Sequence, residues 1–276
     1  MSEIDFTQTL ASGLGAYNTD VGQWWVDKTG SAVHTAAYLN IASHVAQCAR
    51  GEGGLIIDYG CGTGLLMQRL IELLPAWTVL GIDGSEMMLR GAETWACTKR
   101  TGRAASIEFR LAKLPDFSLS TPQADIVVFT FPNIVSGASE RCQFEEIFPH
   151  DRDLARLLAM KQEKDEGDAF DALYDSLFMS RVVSRNLHAL LRKGGLCIRV
   201  DYSQGARHEL GRFDQLSTLF EEGSQNERQS RLKPQKFFKL LSSQYYQSEV
   251  ILDVYEQTKD KDFLEGGYIV SLLQAI

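Results

Sequence analysis

Residues 55–66, LIIDYGCGTGLL, set Asp58 just ahead of Gly60, Gly62 and Gly64. The run before the glycines reads as a buried strand and the run after them as the start of a helix. Where a parallel strand feeds a helix, the crevice at the strand's carboxyl end is a ligand site. Glycine there permits a positive φ and lets a ligand approach the backbone closely. The helix N-terminus beyond it presents free N–H groups and a partial positive charge. Asp58 decides what kind of ligand fits. A carboxylate ahead of the turn repels a pyrophosphate and suits a positively charged group. The glycine spacing also departs from the G-x-G-x-x-G of dinucleotide sites. A second acid, Asp83, closes the next apolar run, TVLGID, where a carboxylate accepts hydrogen bonds from both ribose hydroxyls. Together these residues describe a nucleoside with a cationic or zwitterionic tail.

The elements that position these groups alternate. Strand-like runs occupy 54–60, 78–83, 107–112, 124–131 and 195–202, most of them apolar throughout. Residues 64–74 show helical periodicity and stop at Pro75. Ser85 precedes Glu86 as the cap of a helix running to Gly102. A long helix is expected over 169–192, closed by Lys193 and the pair Gly194–Gly195. Strands alternating with helices predict a parallel sheet with right-handed crossovers. The C-terminus breaks the rhythm: 248–257 and 266–276 read as two strands of a final antiparallel hairpin. The expected organisation is a single domain over 1–276. It carries an N-terminal cap (1–50, helical from about Ser31), a lid insertion at about 136–168 and a second insertion at about 204–247.

Composition narrows the function. The chain has 276 residues, a formal net charge of −8, 44% hydrophobic and 23% charged residues. It lacks the broad basic field that nucleic acid or an anionic membrane demands. No apolar run approaches the ~20 residues of a membrane span, and the acidic, polar N-terminus is unlike a secretory signal. The five cysteines show no metal-ligand spacing, and Cys48, Cys61 and Cys197 read as small core residues. The expectation is a soluble cytoplasmic protein that takes a small-molecule substrate, with no metal, no nucleic acid and no membrane partner. A homodimer is left open.

LIIDYGCGTG followed by VLGIDGSEMML resembles motif I and the next acidic motif of class I S-adenosylmethionine-dependent methyltransferases. The resemblance extends over roughly residues 40–276. It implies an α/β, Rossmann-like, seven-stranded and mostly parallel sheet in the order 3-2-1-4-5-7-6. Strand 7 is antiparallel in that fold, helices cover both faces, and a helical cap is added here. It also implies the cofactor. Gly60, Gly62 and Gly64 would line its methionine end, Asp58 would reach the amino group, and Asp83 would hold the ribose diol. Gly84, Met87 and Met88 would pack against ribose and adenine, with Phe129 also on the cofactor side. The acid that usually ends strand 3 is replaced by Leu111, followed by Ala112, which leaves the adenine to backbone groups or Asp116. Tyr17 matches a leading aromatic that closes over the cofactor in some relatives.

A sulfonium is already an activated electrophile, so transfer needs chiefly an aligned acceptor and the exclusion of water. Acceptor-side residues are expected after strand 4, at the end of strand 5 and in the caps. Strand 4 runs into Phe131-Pro132-Asn133-Ile134, not the N-P-P-Y of adenine- and glutamine-modifying members. Asn133, Tyr174 and Ser203 are the candidate catalytic residues, with Asp201 and Tyr202 also at the mouth of strand 5. Trp24–Trp25 could offer aromatic faces to a cation, and His150 is the one histidine singled out as a base. The leading expectation is methylation of a metabolite or natural-product acceptor, yielding S-adenosylhomocysteine. The alternative is an intramolecular cyclase, such as an azetidine-2-carboxylate synthase, releasing methylthioadenosine.

Overall fold

The computed structural model describes residues 18, 20–99, 106–112, 117–131, 183–203, 237–250 and 266–276. Two helices lead, α1 (Asp20–Thr29) and α2 (Ala32–Cys48). Then come β1 (Leu55–Tyr59), α3 (Leu65–Leu73), β2 (Thr78–Asp83), α4 (Glu86–Lys99), β3 (Ile107–Leu111) and β4 (Ala124–Thr130). The C-terminal half contributes α5 (Ser184–Leu190), β5 (Leu191–Ser203), β6 (Phe238–Gln247) and β7 (Gly267–Ala275). The seven strands form one sheet in the order β3-β2-β1-β4-β5-β7-β6. β7 runs antiparallel to both neighbours, and the pairs from β3 to β5 are parallel. The expected fold class is the one observed.

The sheet divides two cores. On one face Ile56, Val128, Ile198 and Val200 pack with Ile41 and Val45 of α2 and Leu66, Met67 and Leu70 of α3. On the other, Ile57, Tyr59, Val127 and Phe129 pack with Leu187 and Leu190 of α5. Strands buried on both faces explain why β1, β2 and β4 are apolar throughout rather than alternating.

Helix α2 is tied to its face by polar bonds as well as apolar ones. Tyr202, Tyr268 and Tyr246 stand in one row across β5, β7 and β6. His34 Nε2 meets the Tyr202 hydroxyl at 3.1 Å, Asn40 Nδ2 donates to Tyr268 at 2.8 Å, and His44 Nε2 meets the Tyr246 hydroxyl. Ser31 caps α2: its side chain accepts from His34 N at 3.2 Å. Replacing Ser31 with alanine is expected to lower stability by about 1 kcal/mol, a fall of roughly 2–4 °C in a thermal melt. An unchanged Tm would show that water serves this helix end as well as the hydroxyl does.

The structure corrects four expectations. The N-terminal cap turns helical at Asp20, not at Ser31, because the Trp24–Trp25 segment packs against α2 and α4 and overrides the weak propensity around Gly22. The helix expected to reach Arg192 ends at Leu190. Leu191 pairs with Ala124, and Gly194 (φ 73°) with Gly195 marks a bulge inside β5 rather than a helix stop. The sixth strand lies at 238–247, inside the stretch read as an insertion; of the run 248–257 read as that strand, 248–250 lie past its end and the rest falls outside the described residues. It is an edge strand, so its polar Ser242, Ser243 and Gln244 face solvent and hide the apolar pattern. Finally, Phe129, expected beside the cofactor, is 1% exposed in the core and edge-on to Tyr59 at 5.4 Å.

Candidate cofactor and active site

The glycine turn leaves β1 at the sheet's topological switch point, between β4 and β2. Gly60 (φ 81°), Gly62 (φ 52°) and Gly64 (φ 76°) all occupy the left-handed region that favours glycine. Gly60 N and Cys61 N both donate to Ile82 O, at 2.8 and 3.0 Å, stitching the turn to the end of β2. Gly64 starts α3, and a Cβ there would stand 2.8 Å from Trp95 Nε1, which donates to Thr63 O. At Gly62 a Cβ would meet nothing within 4 Å. Gly64 is therefore glycine for packing, whereas Gly62 faces open space.

Asp83 closes the other side of the same unit. Its Oδ2 accepts from Gly62 N at 2.8 Å and its Oδ1 from Ser85 N at 2.9 Å. Burial raises the Asp83 carboxyl above its usual range, opposed by the N–H groups of Ser85, Gly62 and Gly84. Leu111 pairs with Asp83 across β2 and β3 and is 53% exposed, and Ala112 N donates to Asp83 O at 3.0 Å. At the first turn of α4, Met88 N reaches Ser85 Oγ at 3.3 Å. Met87 N donates to Asn18 Oδ1 at 3.3 Å, and Ser85 Oγ donates to it at 2.9 Å. Asn18 thus brings the chain ahead of α1 to the Asp83 side of the turn. Sequence reasoning missed it; the only hint was its place beside Tyr17.

Asp58 is the outlier of the site. It is 1% exposed, and both carboxylate oxygens lack a hydrogen-bond partner among the described residues. Burial, with the nearby Asp83 carboxylate adding to it, pushes its carboxyl up to about 7. A buried charge without a partner is strongly unfavourable and is retained where it pairs with something else. A group suited to face the ionised carboxylate would carry positive charge and N–H donors.

Beyond Asp58 the α2 face carries an aromatic cluster. Phe131, immediately after β4, has a φ of 45°, a conformation that costs a non-glycine residue about 1–3 kcal/mol. It stacks on Tyr202 (centroids 4.3 Å, 19°) and stands edge-on to His34, Tyr38 and Tyr268. His34 is fully buried.

The turn, Asp58, Asp83, Gly84, Met87, Leu111 and Ala112 are thus gathered at the carboxyl ends of β1, β2 and β3. Ser203 is buried at the end of β5, on the sheet face that also carries Cys197, opposite Asp58. Asp201 is engaged by Arg199 in a buried ion pair at 2.7 Å. Trp24 and Trp25 form an edge-on pair, and Lys28 Nζ lies 5.8 Å from the Trp24 ring, so a cation already occupies that face. Tyr17, Asn133, His150 and Tyr174 lie outside the described residues. Among the described residues, no group of three or more His, Cys, Asp and Glu could hold a metal, and no helix is long and apolar enough to cross a membrane.

Residues 56–150 match the family model of the methyltransferase domain. Among solved structures, the chain is similar to magnesium protoporphyrin IX methyltransferase (ChlM) from Synechocystis PCC 6803 with bound SAH. The identity is 13% over 95% of this chain and 96% of that one, with a TM-score of 0.51. It is also similar to the [4+2]-cyclase SpnF (13% identity, 86% and 80% covered, TM-score 0.49). The PH0226 protein from Pyrococcus horikoshii OT3 is 11% identical over 99% and 100% of the two chains, with a TM-score of 0.48. None of the curated proteins matches the chain. Strand order, glycine turn and family match agree: residues 56–150 match the methyltransferase domain, and the chain has the seven-stranded fold of the class I methyltransferases.

Proposed function

We propose that the chain transfers a methyl group from S-adenosylmethionine to a small-molecule acceptor enclosed by the N-terminal helices and the segments that follow β4 and β5. The observation that carries this reading is the buried, unpartnered Asp58 carboxylate beside an open Gly62. Asp58 holds the cofactor's α-ammonium, and the backbone of Gly60, Gly62 and Gly64 receives its aminoacyl chain. Asp83 accepts from the ribose hydroxyls. Gly84, Met87, Met88, Leu111 and Ala112 flank the nucleoside, and Tyr17 closes over it. When bound, S-adenosylmethionine supplies a methyl group already activated on a sulfonium, so the protein's task is alignment and the exclusion of water. Asn133 and Tyr174 orient the acceptor, whereas Ser203, buried on the face opposite Asp58, is left out of that role. The net charge of −8 and the missing N-P-P-Y favour a small acceptor over nucleic acid.

The test is the nucleoside product, identified by mass spectrometry. S-adenosylhomocysteine formed only after a metabolite extract is added is the expected result. Methylthioadenosine formed from the cofactor alone would replace this reading with the intramolecular cyclase. Neither product, with no binding of S-adenosylhomocysteine, would remove the catalytic reading altogether.

The two inner glycines separate binding from folding. Gly62→Ala adds a methyl group in open space at φ 52°, costing about 1–2 kcal/mol of fold stability. The same methyl group stands where the ligand belongs, so affinity for S-adenosylhomocysteine should fall about tenfold, read by calorimetry. Gly64→Ala meets Trp95 at 2.8 Å with φ 76°, so it should cost roughly 2–4 kcal/mol of stability. Equal losses of stability in the two variants would show that Gly62 also serves packing.

A further inference from the structure

Asp58, Thr130 and Tyr38 belong to three different elements and converge on one point of the α2 face of the sheet. Asp58 pairs with Val128 across β1 and β4, and Thr130 lies two residues further along β4. Both side chains therefore project from the same face, with Cα positions roughly 8 Å apart by strand geometry. Tyr38 belongs to the helix that covers this face, one turn on from the buried His34 and one turn before the buried Ala42. Its ring stands edge-on to Phe131, centroids 5.9 Å apart. Phe131 is itself locked by its stack on Tyr202 and by its N–H, which donates to Val200 O at 2.8 Å. The strained residue after β4 thus fixes the tyrosine.

Burial, with the field of Asp58 adding to it, holds the Tyr38 hydroxyl above the usual tyrosine range, and a hydrogen bond with the Thr130 side chain works against both. The hydroxyl makes no bond to Asp58, whose oxygens have no partner among the described residues. An ammonium carries three N–H groups, and a phenol can accept one hydrogen bond while donating another. A buried ammonium N–H left unmatched would be expensive.

We propose that Tyr38 completes the ammonium pocket: its hydroxyl oxygen accepts from the cofactor's α-ammonium beside Asp58, held in place by its hydrogen bond with the Thr130 side chain. The inference rests on the cofactor reading above and adds to it a binding group from the N-terminal cap. Tyr38 makes the site selective for ligands that carry the amino group.

Calorimetry with two ligands tests this. One is S-adenosylhomocysteine, and the other is its analogue with the α-amino group replaced by hydrogen. Tyr38→Phe keeps the ring and its packing, and should bind S-adenosylhomocysteine about tenfold more weakly while binding the des-amino analogue within about twofold of the wild type. Thr130→Val, which removes the group that orients the hydroxyl, should show the same selectivity with a loss of about threefold. If Tyr38→Phe weakens both ligands equally, or neither, Tyr38 is a packing residue and the proposal falls. A wild-type chain that binds no S-adenosylhomocysteine would overturn the cofactor reading itself, and this one with it, before any variant is compared.

Discussion

Asp58→Asn should lower affinity for S-adenosylhomocysteine about 100-fold and at the same time make the ligand-free protein more stable at pH 8. The loss follows from removing the unpaired counter-charge that the turn offers an ammonium; truncating one partner of a buried charge pair costs about 2–5 kcal/mol, and about 2.7 kcal/mol is 100-fold. The gain follows from the same isolation. Burial and Asp83 raise the Asp58 carboxyl to about 7, against roughly 4 in an unfolded chain. A carboxyl raised in this way adds stability only below its unfolded value, and that stability drains away as pH rises towards 7. By pH 8 the native state carries a penalty of about 4 kcal/mol. Asparagine has the same shape without the charge, though its own unpaired amide returns about 1–3 kcal/mol of that. The net gain of about 2 kcal/mol should raise Tm by roughly 4–8 °C at pH 8, shrinking steadily as the melt is repeated towards pH 4. A variant that is less stable at pH 8 and still binds would make Asp58 a structural residue and remove the ground for the ammonium site.

That site was legible in the sequence because its parts are adjacent in the chain. Asp58 and the three glycines fall within a few residues, and Asp83 recurs at the matching end of the next strand. The strands β1, β2 and β4 were equally plain, since burial on both faces makes them continuous apolar runs. Elsewhere the local signal was set by something other than the fold. β6 sits at the sheet's edge, so its exposed polar residues read as loop. Gly194–Gly195 looks like a helix stop from either side, and only the pairing of Leu191 with Ala124 makes it a bulge. Tyr38 could not be found from motif spacing, because its partners Asp58 and Thr130 lie on strands far along the chain. One clue was available: His34 and Tyr38 are polar groups one turn apart on a stripe that continues through Ile41 and Val45, the face that helix α2 buries. Polar side chains on a buried stripe need partners, a requirement the sequence reading did not use.

Cofactor affinity should itself depend on pH, through the same carboxyl. With its pKa at about 7 in the ligand-free protein, Asp58 is protonated below neutrality and cannot face an ammonium as an anion. An ammonium alongside favours the charged form and pulls the pKa down, so binding and deprotonation are linked. Affinity for S-adenosylhomocysteine should be nearly flat above pH 8 and fall about tenfold per pH unit below 7, reaching about 100-fold at pH 5. Calorimetry in buffers of different ionisation enthalpy should detect the proton directly, with close to one released per ligand bound at pH 6 and almost none at pH 8.5. The amino group of the ligand stays protonated through most of this range, so Asp58 is the source of that proton. Asp58→Asn should abolish both the release and the slope, and so should the des-amino analogue bound to the wild type. If proton release persists in either case, the titrating group is the other buried carboxyl of the turn, Asp83, whose pKa is also raised by burial. The ammonium would then sit nearer the ribose acid than the sheet geometry around Asp58 and Tyr38 implies.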